Sequence, residues 1–542
     1  MFDWHNEESA AMLTRGYLLD GETVISATRR IARSAAKYAD NPGLEQRVFD
    51  LIGKGWLVPA SPIWANMGTD RGLPISCFGS YIEDSMEGIL STLAEVGMMT
   101  KIGGGTSAYF GAIRHNGADI KMNGKSNGPV PFMQLYDTAM RVVSQGSTRR
   151  GSFAAYLPVE HPDILEFLKI KDIGFYIQDL SFGVTVTDAW MRDMIAGDPK
   201  KREIWAAVLH SRKEKGYPYI LFHDTVNKMK PECYKDRTIW ASNLCSEIML
   251  PSNKDESFVC CISAMNAEKW DEWKDTDAVR TAIEFLDAVM EEFIQKATGI
   301  AHMQRAVKFA KNHRAIGLGL CGWHSLLQSK GYPFNSLASF SLTHSLMGKI
   351  RDDAYKASEL LALSKGPPEA FPGLNRRNTT LMAIAPNTSS SSIMGQISSG
   401  IEPFESNYYV KDLAKGSFTR KNRHLEKILE ERGLNTDEIW RNIHKAGGSV
   451  LGVPELQDVH QVFLTFGEIN QFELLHQAGI RQKFIDQGQS LNIHVPPGTD
   501  LKTINKLHIW AWESGVKALY YQRSKSASQG FSLQEVCSMC AG

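Results

Sequence analysis

Asn243, Cys245 and Glu247 occupy alternate positions of the run Asn243-Leu-Cys-Ser-Glu247, so an amide, a thiol and a carboxylate recur with a period of two. On an extended segment this spacing points all three side chains to one face, where a single small substrate could touch each of them. The set is a candidate active site. A buried strand carrying one structural cysteine is the alternative reading of the same residues, because a free cysteine packs as a small hydrophobe.

Other cysteines lie far away in the chain. Cys77 follows Ile75-Ser76, and Cys260 begins the doublet Cys260-Cys261 after Val259; both segments read as buried strands. As neighbours, those strands would bring two thiols within disulfide distance and make a two-electron donor; read singly, each thiol belongs to a core. Cys537 and Cys540 form a C-x-x-C pair at the C-terminal end of a Ser- and Gln-rich stretch. Exposed, closely spaced thiols suit exchange with another disulfide. Half of a zinc site is the other reading, although no second pair follows at ribbon or finger spacing.

Two further motifs are weaker alone. Tyr520 and Tyr521 follow Gly515, which closes a predicted helix, and tyrosine doublets are common in ordinary strands. Pro386-Asn387-Thr388-Ser389-Ser390 follows an apolar run. Hydroxyls and free backbone N–H groups at a helix start can cradle a phosphate, and the same residues can serve as plain caps.

The elements that must position these groups follow from pattern and size. A chain of 542 residues exceeds a typical single core, so several layers or a large barrel are expected. Residues up to about 55 carry apolar positions at helical spacing (Ile25, Ile31, Ala35, then Val48, Leu51, Ile52) and predict a helical cap. Beyond Ser61-Pro62, short apolar runs alternate with turns and amphipathic stretches, the pattern of an α/β fold. Strands are predicted over 78–82, 153–157, 383–385 and 516–521, with helices over 86–99 and from His161-Pro-Asp. The polar stretch from about residue 524 predicts a mobile tail.

Lys+Arg and Asp+Glu are both 60, a balance that argues against a nucleic-acid groove or an anionic membrane as partner. No apolar run is long enough to span a bilayer, and the acidic start is unlike a secretory signal. A cytoplasmic chain with reduced thiols is expected, since eight cysteines are too few for a disulfide scaffold at this length.

In their order along the chain, these motifs resemble the catalytic large subunit of class I ribonucleotide reductase. The resemblance rests on Ala60-Ser-Pro with Asn66-Met-Gly, Ile75-Ser-Cys77, Ser144-Gln-Gly-Ser-Thr-Arg149, His161-Pro-Asp-Ile, Asn243-Leu-Cys-Ser-Glu247 and Cys260 before Ser263-Ala-Met-Asn. It continues through Arg314-Ala-Ile-Gly-Leu-Gly, the Pro386 loop, Ser398-Ser-Gly-Ile-Glu-Pro, Leu519-Tyr-Tyr-Gln and the terminal cysteine pair. It implies a ten-stranded α/β barrel of two five-stranded halves, with a finger loop carrying Cys245 into the centre. The implied division is a helical domain at 1–75, the barrel at 76–523 and a redox tail at 524–542.

The resemblance also implies roles. Cys245 becomes a thiyl radical that removes the ribose 3′-hydrogen, a transfer between bonds of comparable strength. Glu247 is the general base on the 3′-hydroxyl, and Asn243 holds the ribose. Cys77 and Cys260 supply two electrons and end as a disulfide, which Cys537 and Cys540 reduce before a thioredoxin or glutaredoxin restores them. Ser61, Ser76, Pro386, Asn387, Thr388, Ser389 and Ser390 hold the ribonucleoside diphosphate. Tyr520 and Tyr521 relay the radical from a separate metal-containing small subunit and are what select class I, so this chain needs no metal of its own. A dNTP or ATP specificity effector would bind at a homodimer interface, with Asp84 and Arg114 at the effector and Gln145 and Arg149 on the loop that reads it out.

Typical members begin with an ATP-cone domain, to which nothing here corresponds, so no on/off control by ATP and dATP through that domain is expected. Fifteen residues separate Tyr521 from Cys537, an extended reach of about 50 Å. Three competing readings make distinct predictions. An adenosylcobalamin-dependent reductase would work without a partner subunit. A nucleotide-binding regulatory protein that has lost catalysis would lack one of the reacting residues, all of which are present. A zinc-binding interaction protein would lose its zinc on changing Cys537 and Cys540.

Overall fold

The computed structural model describes residues 2–122, 124–145, 150–413 and 416–524; Arg149, Cys537 and Cys540 lie outside these described residues. The N-terminal helices are Glu7–Leu13, Val24–Tyr38 and Gly43–Gly53. Thr23 and Ser26 form a reciprocal cap at the start of the second helix, satisfying N–H groups that a helix start leaves open. Its buried face of Ala27, Ile31 and Ala35, and that of Leu44, Val48 and Ile52 on the third, keep the helical spacing, whereas Ile25 falls off that face and is exposed. Both helices pack on the long helix Ala278–Ala297 of the following domain.

After the short strand β1 (Leu57–Pro59), the chain lays down β2 (Cys77–Tyr81) and β3 (Gly105–Tyr109), then a surface hairpin of β4 (Asn116–Asp119) and β5 (Lys125–Asn127). Next come β6 (Phe153–Pro158), β7 (Ser181–Val186), β8 (Tyr219–Phe222), β9 (Phe258–Asn266) and β10 (Ile316–Cys321). β2, β3, β6, β7 and β8 form a continuous parallel run. Their near-uniform burial fits a sheet covered on both faces. β9 pairs antiparallel with β2, and β10 runs parallel to β9.

A second hairpin, β11 (Tyr408–Leu413) and β12 (Gly416–Lys421), stands outside this sheet. The ring is completed by thinner contacts. Leu318 bridges Met382 and Ile384 bridges Gln489, both parallel. β13 (Ile493–His494) runs parallel to β15 (Gln522–Arg523), and β14 (Ala518–Leu519) pairs antiparallel with β8. Counting the bridged segments around 382–384 and 489, the result is two five-stranded halves, each running parallel, joined antiparallel at β2–β9 and β8–β14, with the short β1 also antiparallel to β9.

Two local expectations are corrected. Residues 383–385 take part in isolated bridges rather than a continuous strand, since their backbone bonds alternate between neighbours, Ala383 N–H to the Leu318 carbonyl on one side and Ile384 N–H to the Gly488 carbonyl on the other. The helix expected from His161 is only Ile164–Phe167. His161 Nδ1 instead accepts the Asp163 N–H at 3.1 Å, and Asp163 accepts the Asn116 N–H at 2.9 Å, which locks the segment as a turn against β4.

Candidate active site

Cys77 and Cys260 face each other directly across the antiparallel pair β2–β9. Opposed residues in such a pair have Cα atoms about 4.5–5.5 Å apart, inside the window a disulfide needs. Both are reduced and buried. The doublet is resolved by strand alternation: Cys260 takes a 3.5 Å contact from Gln487 Nε2, whereas Cys261 donates to the Leu286 carbonyl of the helix outside the sheet at 3.2 Å. Burial pushes the Cys260 thiol well above its ordinary range, so it rests as the protonated, hydrogen-bearing form.

The Asn243–Glu247 run is not the extended segment that period-two spacing suggests. Leu244 and Cys245 form a turn, and Ser246 has φ of +67°. Inside a barrel, the turn's backbone groups need partners, and neighbouring strands supply them. Ser107 on β3 donates to the Ser242 carbonyl at 2.8 Å, and Tyr156 on β6 to the Asn243 carbonyl at 2.8 Å. Ser490 Oγ lies 2.6 Å from the Cys245 carbonyl and 3.0 Å from Glu247 Oε2.

Consequently the three side chains do not share one face. Asn243 is fully buried; its Oδ1 accepts the Glu247 and Ile248 N–H groups at 3.0 and 3.1 Å, and its Nδ2 donates to Cys77 Sγ at 3.1 Å. Cys245 and Glu247 line a pocket of about 870 Å³, its mouth included, with Cys77 beside them; Asn243 stands behind this wall. Desolvation raises the Glu247 carboxyl to about 7, against the opposing hydrogen bonds of Asn243, Ser490 and Cys77.

The same pocket gathers Ser61, Ser76, Pro386, Asn387, Thr388, Ser389, Ser390, Tyr520 and Tyr521. Asn387 adopts a left-handed conformation (φ +56°) that starts the short helix Thr388–Ile393, and Ser390 Oγ ties it to the Pro59 carbonyl at 3.0 Å. Ser76 Oγ is buried at the pocket without a hydrogen-bond partner among the described residues. The rings of Tyr520 and Tyr521 lie 4.1 Å apart, centroid to centroid.

Asp84 and Arg114 meet elsewhere, at the surface. Asp84 accepts from Arg114 Nε at 2.7 Å and from the Arg114 N–H at 3.2 Å, while Arg114 Nη1 donates to the Asp119 carbonyl on β4 at 3.0 Å. Their side chains remain about one third exposed, 34% and 37%, open to a ligand. Gln145 is buried away from the pocket lining and donates to Asn66 Oδ1 at 2.9 Å.

Sequence reasoning missed Ser490, Gln487, Tyr156 and the pair Tyr217 and Tyr219. Tyr217-Pro-Tyr219 before an apolar run was a readable signal; the single Ser and Gln residues carried none. Among the described residues, no cluster of His, Cys, Asp or Glu is arranged to hold a metal, and no helix is long and apolar enough to cross a membrane.

Comparison with known proteins gives the same outline. The all-alpha domain of ribonucleotide reductase matches residues 4–72, and its barrel domain matches 75–199, 195–376 and 373–522. A ribonucleoside-diphosphate reductase large subunit of Invertebrate iridescent virus 3 is 32% identical, covering 95% of this chain and 92% of its own. A counterpart from Danio rerio is 28% identical, covering 95% and 75%. The solved Actinobacillus ureae class Id ribonucleotide reductase alpha subunit is 48% identical and superposes with a TM-score of 0.92 over 97% of this chain and 98% of its own. With Cys77, a half-buried turn thiol and a carboxyl around one pocket, with Cys260 opposed to Cys77 across the strand pair, and with matches that span nearly its whole length, the chain belongs to the ribonucleotide reductase large-subunit family.

Proposed function

We propose that this chain reduces ribonucleoside diphosphates to 2′-deoxyribonucleoside diphosphates, taking its oxidising equivalent from a small, metal-containing partner subunit. The observation that carries this reading is the placement of Cys77 opposite Cys260, with Cys245 and Glu247 on the wall of the same pocket. Cys245, as a thiyl radical, takes the 3′-hydrogen of the ribose, and the Glu247 carboxylate takes the 3′-hydroxyl proton. The 2′-hydroxyl then leaves as water. Cys77 and Cys260 give two electrons and their two protons, one to the departing water and one, as hydrogen, to C2′, and become a disulfide; Glu247 returns its proton to the 3′-oxygen and Cys245 its hydrogen to C3′. Asn243 acts from behind, ordering Cys77 and the turn. Ser61, Ser76 and residues 386–390 hold the ribose and phosphates.

Tyr520 and Tyr521 carry the radical toward Cys245. Cys537 and Cys540 reduce the disulfide and are themselves restored by a thioredoxin or glutaredoxin. Residues 1–75 form the helical domain, 76–523 the barrel and 524–542 the redox tail. A homodimer is supported by exposed Met86, Leu90, Leu135 and Val142 on the neighbouring helices Met86–Lys101 and Pro129–Val142. A dNTP or ATP effector at Asp84 and Arg114 would lie beside that face, with Gln145 and Arg149 on the loop that reads it.

The test is reduction of nucleoside diphosphates with dithiothreitol, with and without a candidate small subunit. Turnover should require that subunit, and Cys245→Ser should lower kcat by a factor on the order of 10³ or more with the melting temperature unchanged. Turnover by the chain alone with adenosylcobalamin would overturn the proposed radical source.

A further inference from the structure

We propose that Tyr217 is a positioning residue for radical transfer, its hydroxyl fixing the phenolic oxygen of Tyr521; this rests on the radical-relay reading of Tyr520 and Tyr521 above. Tyr217 stands just before β8, fully buried, with its hydroxyl 3.1 Å from that of Tyr521 and its ring edge-on at 5.1 Å. On its other side the same hydroxyl lies 3.3 Å from Ser181 Oγ, and Ser181 lines the substrate pocket. A hydrogen-bonded line therefore runs from the pocket wall through Tyr217 to Tyr521.

The geometry suits one task. When a hydrogen atom passes from the Tyr520 hydroxyl to a Tyr521 phenoxyl oxygen, one O–H bond breaks and another forms, and no other atom is consumed. The transfer depends on where the Tyr521 oxygen points. The Tyr521 ring is buried, and a fixed hydroxyl beside its oxygen both orients and stabilises the phenoxyl state.

Tyr217 keeps its own proton and electron throughout. Its ring lies against the stacked ring of Phe182 at 5.3 Å, and Lys171 Nζ sits 5.4 Å from its centroid. A cation over an aromatic face stabilises the electron-rich ring and so opposes its oxidation. The backbone of Tyr521 is held separately, its N–H donating to Asn492 Oδ1 at 2.9 Å. Main chain and hydroxyl are thus anchored from different elements.

The test is Tyr217→Phe in the full chain assembled with its small subunit, a change that keeps the ring and removes only the oxygen. It should lower kcat about three- to tenfold, the ratio carried by a hydrogen bond between uncharged groups, with KM for the nucleoside diphosphate unchanged. With 3-aminotyrosine at position 521 to trap the radical, an exchangeable deuteron coupled to it in D2O should disappear when the Tyr217→Phe change is also present. Unchanged kcat together with a retained deuteron coupling would overturn the inference. Failure of the underlying relay is read separately, as full activity of Tyr521→Phe in a chain that carries native Tyr217.

Discussion

One half of the barrel, β2, β3, β6, β7 and β8, is held by an unbroken backbone ladder. The other half, from β9 round to β15, is held after β10 by short, interrupted runs of backbone bonds, such as the Leu318 N–H to the Leu381 carbonyl at 2.7 Å and the Ile384 N–H to the Gly488 carbonyl at 3.0 Å, with side chains bonding to backbone between them. Asp486 accepts the Leu381 and Met382 N–H groups at 2.8 and 2.9 Å. Gln487 donates to the Ile316 carbonyl at 3.0 Å, and Asn492 holds the Tyr521 N–H. The difference separates two needs. The thiols that must meet sit where β9 joins the ladder, fixed by register. The groups proposed to hold the substrate phosphates or carry the radical, residues 386–390 and the two tyrosines, ride on the side that can depart from strand geometry.

Five substitutions probe that contrast, from those at the site itself to one at the surface. Glu247→Gln should lower kcat by roughly 10²–10⁴, the range of a positioned proton-transfer group. In the native protein, kcat/KM should climb as pH rises through about 7, where the carboxylate forms; this acidic limb should vanish in the Gln variant. The sign for folding is the reverse: the raised carboxyl ionises first in the unfolded chain, so stability declines between the ordinary carboxyl range and about pH 7. Urea titrations across that interval would read it.

Adjacent cysteines on β9 provide the next comparison. Cys260→Ala should abolish multiple turnover, whereas Cys261→Ala, facing the helix Ala278–Ala297, should keep kcat and cost only about 1 kcal/mol of stability, on the scale of one modest contact. Equal losses in steady-state assays of the two variants would contradict the interior and exterior assignment.

Asp486→Ala attacks the half whose backbone bonding is interrupted. It leaves two buried N–H groups without their acceptor and takes a carboxylate from the neighbourhood of buried Lys517, whose ammonium burial has lowered to about 7. A loss of about 3–5 kcal/mol in chemical denaturation is expected. Asp84→Ala should sit at the small end, about 0–1 kcal/mol, because its partner Arg114 is at the surface. Its measurable effect should be weaker nucleotide effector binding by calorimetry.

Much of this site was legible before any coordinates. The N-terminal helices, β2, β6 and the helix Met86–Lys101 stand near their predicted positions, because each repeats its apolar residues at its own period. The pocket members Cys77, Cys245, Glu247, Tyr520 and Tyr521 stand out in the sequence as motifs, and Ser61 and Ser76 enter through the family resemblance. Ser490 and Gln487 were not. Each acts on the turn or on Cys260 from residues remote in the chain, and a lone Ser or Gln has no periodicity to betray it. Asn243 was read as sharing a face with Cys245 because spacing describes a strand; the left-handed Ser246 turned it inward.

The chain's order of residues determined which chemical groups exist, which segments are helical or extended, and that two cysteine-bearing runs are buried. Only tertiary structure decided that Cys77 lies opposite Cys260, that Cys261 faces away, and that a turn delivers Cys245 to the pocket. The reason is physical: alternation specifies the faces of a strand but not its neighbour, and pairing between distant segments is settled by the packing of the whole barrel.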